Sequence, residues 1–160
     1  MTKKINKRLL FYILIFISMA LVSAYVIEYK FNHDPCKLCI YERIPYFLSI
    51  LLIVKIFFIN GYEKTTLLIL CLIFIFSSIL AFYHFGIEQG FFKESLACTA
   101  GDLSKTLSKD ELLELLKKNT ISCKDVSFKI FGFSLAAINT IFSILLSAIF
   151  IKLFTNYGKN

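Results

Sequence analysis

Two cysteines three residues apart open the stretch PCKLCIYERIPY, residues 35–46, and an acid and a base follow at Glu42 and Arg43. A Cys-x-x-Cys spacing can serve a metal knuckle, a structural staple or an exchanging redox pair. The loop is short for a purely structural staple, because a disulfide stabilises mainly by constraining the unfolded chain and so short a loop constrains little. The spacing is the usual one of an exchanging pair, in which the thiolate is the working species. Pro35 can fix the turn before Cys36. A helix beginning near Cys39 would set its free N–H groups and positive end against that thiolate. Arg43, one turn further on the same face, would add a cation. Both features lower a thiol pKa and favour negative charge on a bound acceptor. Arg43 is therefore a candidate acceptor-binding residue, against the plainer role of an interfacial anchor. Glu42 has no role here beyond balancing Arg43.

The elements that must position these residues are unusually apolar. Of 160 residues, 58% are hydrophobic and 18% charged, and the mean hydropathy is +0.73, too apolar for an ordinary soluble domain. Four apolar segments stand out, at residues 9–27, 44–59, 67–85 and 130–151. Each is close to the roughly 20 residues a helix needs to cross the hydrocarbon, the second being short. None alternates as barrel strands do, and none shows the polar face of a soluble helix. The expected fold is an all-α membrane protein, a four-transmembrane-helix bundle forming one domain over residues 1–160. The first segment also has the basic start and the VSA of a secretory signal. Its apolar run exceeds the usual signal core of roughly 7–15 residues, so a retained anchor is expected.

Charge orients the bundle. Lys3, Lys4, Lys7, Arg8, Lys55, Lys64, Lys152 and Lys159 fall on one side with Glu63, a net +7. The loops of the other side, residues 28–43 and 86–129, are neutral. Basic residues gather on the cytoplasmic face, which places both termini there. The basicity is thus a topology signal, and no basic patch on a folded scaffold supports nucleic-acid binding.

In this topology Cys36, Cys39, Cys98 and Cys123 face the non-cytoplasmic side, while Cys71 lies inside the third span as a small buried apolar residue. An even number in an oxidising compartment suggests two disulfides, with three connectivities open. Zinc is a poor fit: the second pair is 25 residues apart, and the nearest histidine in sequence, His33, precedes the CxxC. No metal is expected. Between Cys98 and Cys123, LSKDELLELLKK, residues 107–118, carries a capping box at Ser108 and Glu111, with acids early and lysines late. Its leucine stripe predicts a short amphipathic helix in the second outer loop, lying on the membrane surface or docked on the bundle.

At this point the residues carry a likeness. CKLCIYERIPY after one spanning segment resembles the DsbB family of quinone-coupled membrane disulfide oxidoreductases. YHFGIEQGFF, residues 83–92, is similar to the end of that family's third helix. ACTAG and ISCKDVSFKIFGFSLAAIN resemble its second cysteine pair and the entry to its fourth helix. The likeness covers almost the whole chain, and it is the combination of CxxCxxER, a distant second pair and four spans that makes it specific. It implies a bacterial inner-membrane enzyme that reoxidises a periplasmic DsbA-like thioredoxin-fold oxidase and passes electrons to ubiquinone or menaquinone, functional as a monomer. It implies Cys36 and Cys39 as the membrane-proximal pair, with Cys39 facing quinone. It implies Cys98 as the sulfur that joins the partner, Cys123 as its mate, and Arg43 and His84 as quinone-binding residues. Phe91, Phe92 and Phe128 stand where relatives often have tryptophan. The competing readings are an inert four-helix protein with two structural disulfides, an exporter of reductant, and a vitamin K epoxide reductase-like enzyme. An exporter needs a cytoplasm-facing cysteine pair, which this topology lacks. The epoxide reductase has its CxxC near the end of its last core helix, whereas here it precedes the second.

Overall fold

The computed structural model describes residues 6–33, 35–59, 61–93, 123, 129–130 and 132–157. Its elements are α1 (Lys7–Lys30), α2 (Lys37–Phe58), α3 (Glu63–Glu88), a two-residue hairpin of β1 (Lys129–Ile130) and β2 (Phe133–Ser134), and α4 (Leu135–Asn156). Cys98 and the short helix expected over residues 107–118 lie outside the described residues.

The helices bury narrow stripes and leave the rest of their apolar surface outward. In α1 the stripe is Leu10, Ile13, Ile17 and Leu21, the three- and four-residue spacing of one helix face. These meet Ile53 and Ile56 of α2, Leu67, Leu70 and Phe74 of α3, and Leu146 and Phe150 of α4. The rings of Phe74 and Phe150 stack with centroids 5.3 Å apart. Cys71 is buried in this core, as expected of a small apolar side chain. Ser77 and Ser143 hydrogen-bond at 3.1 Å across the α3–α4 contact, the most extensive in the bundle. Small hydroxyl residues at such a seam let two backbones approach and join them in a medium without water. Phe11, Met19, Leu51, Leu72, Phe76, Ile79, Ile144 and Leu145 point outward. Lipid accepts such a surface and water does not.

Three helices, α1, α3 and α4, are long and apolar enough to span a membrane. The expectation of four is met only in part. Every 18-residue stretch of α2 carries three charged side chains drawn from Lys37, Glu42, Arg43 and Lys55. The fourth expected span also starts later than residue 130. The chain doubles back through Gly132 at φ +86°, and Ser134 then caps α4, its side chain accepting from the Ala137 N–H at 3.2 Å. At the lower end of the bundle Tyr157 donates to Glu63 Oε2 at 3.2 Å, and Lys64 lies 5.9 Å from the Phe154 ring. The end of α1, the start of α2, the end of α3 and the start of α4 meet at the opposite end, which holds the CxxC.

Candidate redox site

The site begins with a helix cap. Cys36, at φ −67° and ψ 165°, is the N-cap of α2, and its Sγ accepts from the Cys39 backbone N–H at 3.2 Å. The two sulfurs are 2.7 Å apart, both as free thiols. The helix, expected to begin near Cys39, thus starts two residues earlier at Lys37, and the Cys39 N–H points at Cys36. In the reduced pair the first cysteine therefore holds the charge. The Cys39 thiol donating to it pulls Cys36 from the ordinary 9.0 down to about 5; His84 adds to this and burial opposes it.

His84 reaches the pair from α3. Its Nε2 lies 3.5 Å from Cys36 Sγ, and its Nδ1 hydrogen-bonds Glu42 Oε1 at 2.8 Å. Glu42 Oε2 in turn accepts from Asn139 Nδ2 at 2.7 Å, and Asn139 Oδ1 accepts from the Tyr46 hydroxyl. Sulfur, imidazole, carboxylate, amide and phenol thus form one line through α2, α3 and α4, with His84 and Glu42 both buried. A buried carboxylate is tolerated when its oxygens are hydrogen-bonded, and both oxygens of Glu42 are. Glu88, one turn beyond His84, sets Oε1 3.9 Å from His84 Nε2, while its buried Oε2 has no hydrogen-bond partner among the described residues.

Local sequence explains how the chain turns back just beyond His84. Phe92 folds back over Gly86, where a Cβ would come within 2.2 Å of its ring. The N–H groups of Phe91 and Phe92 both donate to the Gly86 carbonyl, at 2.8 and 3.2 Å. Gly90, at φ +78°, provides the left-handed turn that allows this return.

Arg43 approaches from the α1 side. It pairs with Glu28 and lies 4.8 Å over the Tyr25 ring. One cavity of about 180 Å³ has walls that include Cys36, Cys39, Glu42, Arg43, Tyr46, His84, Glu88, Cys123 and Asn139, with Leu21 and Phe142 among the apolar side chains. Cys123 is disulfide-bonded, 2% exposed, and packed in one buried cluster with Cys36, Leu38 and Ile87.

Of the residues expected at the site, the structure brings together Cys36, Cys39, Arg43, His84 and Cys123. Glu42, Tyr46, Glu88 and Asn139 were missed. Glu42 and Glu88 carried a signal, since each lies one helical turn beyond an expected site residue, Cys39 and His84. Tyr46 and Asn139 carried none, for only the packing of α2 on α4 joins them.

The chain matches the family described as disulfide bond formation protein DsbB over residues 6–153. It is 34% identical over 161 aligned residues to Uncharacterized protein RP370 of Rickettsia prowazekii (strain Madrid E), covering 99% of this chain and 93% of that one. No solved structure matches it. With a paired-thiol and histidine cluster at the end of an apolar helical bundle, and that match over nearly its full length, the chain belongs to the DsbB family and is a quinone-coupled disulfide oxidoreductase.

Proposed function

We propose that Cys98 and Cys123 receive electrons from a periplasmic DsbA-like thioredoxin-fold oxidase, and that Cys36 and Cys39 deliver them to ubiquinone or menaquinone in the cavity beside Arg43 and His84. In this reading α2 is the fourth span, both termini are cytoplasmic, and one copy of the chain in the inner membrane suffices. One observation carries it: a single cavity is lined by Cys36, Cys39, Cys123, Arg43 and His84.

The exchange runs as follows. A thiolate of the reduced partner attacks Cys98 in a Cys98–Cys123 disulfide, forming a mixed disulfide and releasing Cys123 as a thiolate. Cys123, already packed with Cys36, attacks that sulfur in the Cys36–Cys39 disulfide and releases Cys39. The second partner thiol displaces Cys98, which leaves the partner oxidised. Cys98 then attacks Cys123 in the interloop disulfide and frees Cys36. The net result is two electrons and two protons on the Cys36–Cys39 pair.

The cavity suits a quinone head: apolar walls, a guanidinium, an imidazole and two sulfurs. When bound, quinone supplies a two-electron, two-proton acceptor. Arg43 stabilises negative charge there, Glu28 and Tyr25 hold its guanidinium in place, and His84, fixed by Glu42, moves a proton at Nε2. While Cys36 is tied to Cys123, the same cluster serves Cys39, whose sulfur is 2.7 Å from that of Cys36.

Trapping tests the order. A partner lacking its second active-site thiol, with its remaining cysteine carried as a mixed disulfide to a small aromatic thiol, should exchange onto the free Cys98 of a Cys123→Ala chain as the small thiol leaves, a linkage mapped by mass spectrometry. Cys36→Ala should still exchange with the partner but fail to reduce quinone. An adduct on Cys36 or Cys39 with Cys98 dispensable refutes the order, and no adduct in any variant favours inert disulfides.

A further inference from the structure

We propose that the reduced Cys36–Cys39 pair, His84 and Glu88 form a binding site for a thiophilic divalent cation of the zinc class, open only while the Cys36–Cys39 disulfide is broken. Cys36, Cys39 and His84 each present one ligand atom, and these atoms lie within 4.8 Å of one another. Tetrahedral zinc, with bonds of about 2.3 Å to sulfur and about 2.1 Å to nitrogen, sets a sulfur and a nitrogen about 3.6 Å apart and two sulfurs about 3.8 Å apart. Cys36 Sγ and His84 Nε2 stand at 3.5 Å, close to the required edge. The two sulfurs, at 2.7 Å, must separate by about 1 Å, which a turn of the partly exposed Cys39 side chain supplies.

The histidine is prepared for this role. Its Nδ1 hydrogen faces Glu42 Oε1, so that release of the Nε2 proton on metal binding turns a lone pair toward Cys36. Asn139 holds the far oxygen of that carboxylate. A carboxylate behind a histidine in this way fixes the tautomer and raises the basicity of a metal ligand. Glu88 gives an independent pointer. Its Oε1 is 3.9 Å from His84 Nε2, its side chain is 7% exposed, and Oε2 is buried without a partner among the described residues. A buried carboxylate oxygen left unpaired costs free energy, and a cation in the fourth position would satisfy it. In sequence the nearest histidine, His33, precedes the CxxC and suggested no metal. The fold supplies one 48 residues away.

Binding moves no electrons. The cation displaces the Cys39 proton and the proton that His84 Nε2 shares with the Cys36 thiolate, both sulfurs coordinate as thiolates, and the protons leave to solvent. In the oxidised pair the sulfurs are bonded to each other and no thiolate is offered. A bound cation would hold the thiols and His84 away from any acceptor and so inhibit the reduced enzyme reversibly. The proposal rests on the thiol pair and not on the acceptor's identity, so its failure and that of the quinone reading are separable.

Cadmium is the first probe. The full chain with Cys98→Ser and Cys123→Ser, in lipid nanodiscs, is reduced, freed of reductant and titrated with Cd²⁺. The ultraviolet cadmium–thiolate band should saturate at one cation per chain and be absent from the oxidised chain. Glu42→Gln should weaken binding on the order of 10–100-fold, and His84→Gln at least as much. Glu88→Gln should weaken it measurably. X-ray absorption of the Zn²⁺-loaded, reduced Cys98→Ser, Cys123→Ser chain needs no variant at His84, Glu42 or Glu88 and should show two sulfurs with imidazole scattering. A shell without imidazole, a band that persists in the oxidised chain, or affinity unchanged in both His84→Gln and Glu88→Gln overturns the site.

Discussion

Alkylation of reduced Cys36 should titrate with a midpoint near pH 5, because the Cys39 thiol, then His84, hold the sulfur as a thiolate from an ordinary 9.0 down to about 5. The choice of pH decides whether this is visible. At pH 7 a thiol titrating near 5 is almost wholly ionised and one at the ordinary value about 1% ionised, a roughly 100-fold advantage in thiolate. A less basic thiolate is a weaker nucleophile, and a Brønsted coefficient of about 0.45 over that interval removes about 60-fold. The net gain at pH 7 is therefore only about 2-fold. At pH 5.5 the thiolate ratio rises to about 2,400 and the net gain to about 40-fold. Burial of Cys36 lowers all its rates together, so the midpoint is the diagnostic quantity.

The assay is a short iodoacetamide pulse on the reduced chain between pH 4 and 9, an interval set by about one unit below the low value and the ordinary one, with peptide mass spectrometry reading Cys36 alone. Cys39→Ala, which removes the largest contribution, should raise the midpoint most. Cys39→Ser keeps a donor and should raise it less, as should His84→Gln. The sign for stability follows from the same depression. It stabilises the reduced fold fully above the ordinary pKa, and that contribution is lost as pH falls through about 5. A wild-type midpoint above neutrality, or an unchanged midpoint in Cys39→Ala, would refute the assignment of charge to Cys36.

Arg43→Ala should lower kcat/KM for quinone by roughly 10–100-fold, the loss of a charged hydrogen bond of about 1.5–3 kcal/mol, with lysine rescuing only in part; unchanged quinone kinetics would return Arg43 to an anchor. Gly86→Ala should destabilise the fold by about 1–3 kcal/mol in thermal unfolding, because the new methyl meets the Phe92 ring, and Phe92→Ala should relieve that cost. Asn139→Ala removes a partner from Glu42 and from Tyr46 together and should cost about 1–3 kcal/mol by the same measurement.

Much of this organisation was legible in sequence, but unevenly. The apolar runs placed α1 and α3 within a few residues because nothing inside them competes with the hydrophobic pattern. The start of α4 was misplaced because Ile130 and Phe133 are as apolar as the helix that follows. Only the turn at Gly132 and the cap at Ser134 separate them. The start of α2, expected near Cys39, falls two residues earlier at Lys37: cysteine is seldom considered as a cap, yet the sulfur of Cys36 takes the place of a hydroxyl. Cys36, Cys39, Arg43 and His84 could be found because motif spacing carries them. Asn139 could not, since it meets Glu42 only across 97 residues of chain.

The charges that weaken α2 as a membrane span are the ones that build the site. Glu42 and Arg43 make the first two turns of the helix too polar for hydrocarbon on their own. The fold does not leave them there on their own. Glu42 is turned inward to His84 and Asn139, and Arg43 is neutralised by Glu28 and covered by the Tyr25 ring. Intramembrane charges persist when they face the bundle interior and pair. Here the pairing also fixes the imidazole against Cys36 and holds the guanidinium at the cavity wall. Replacing Glu42 and Arg43 with leucines would make α2 a better span by composition. It would also remove the groups that hold His84 in register with the sulfur pair, so the helix would gain hydrophobicity at the expense of the redox site.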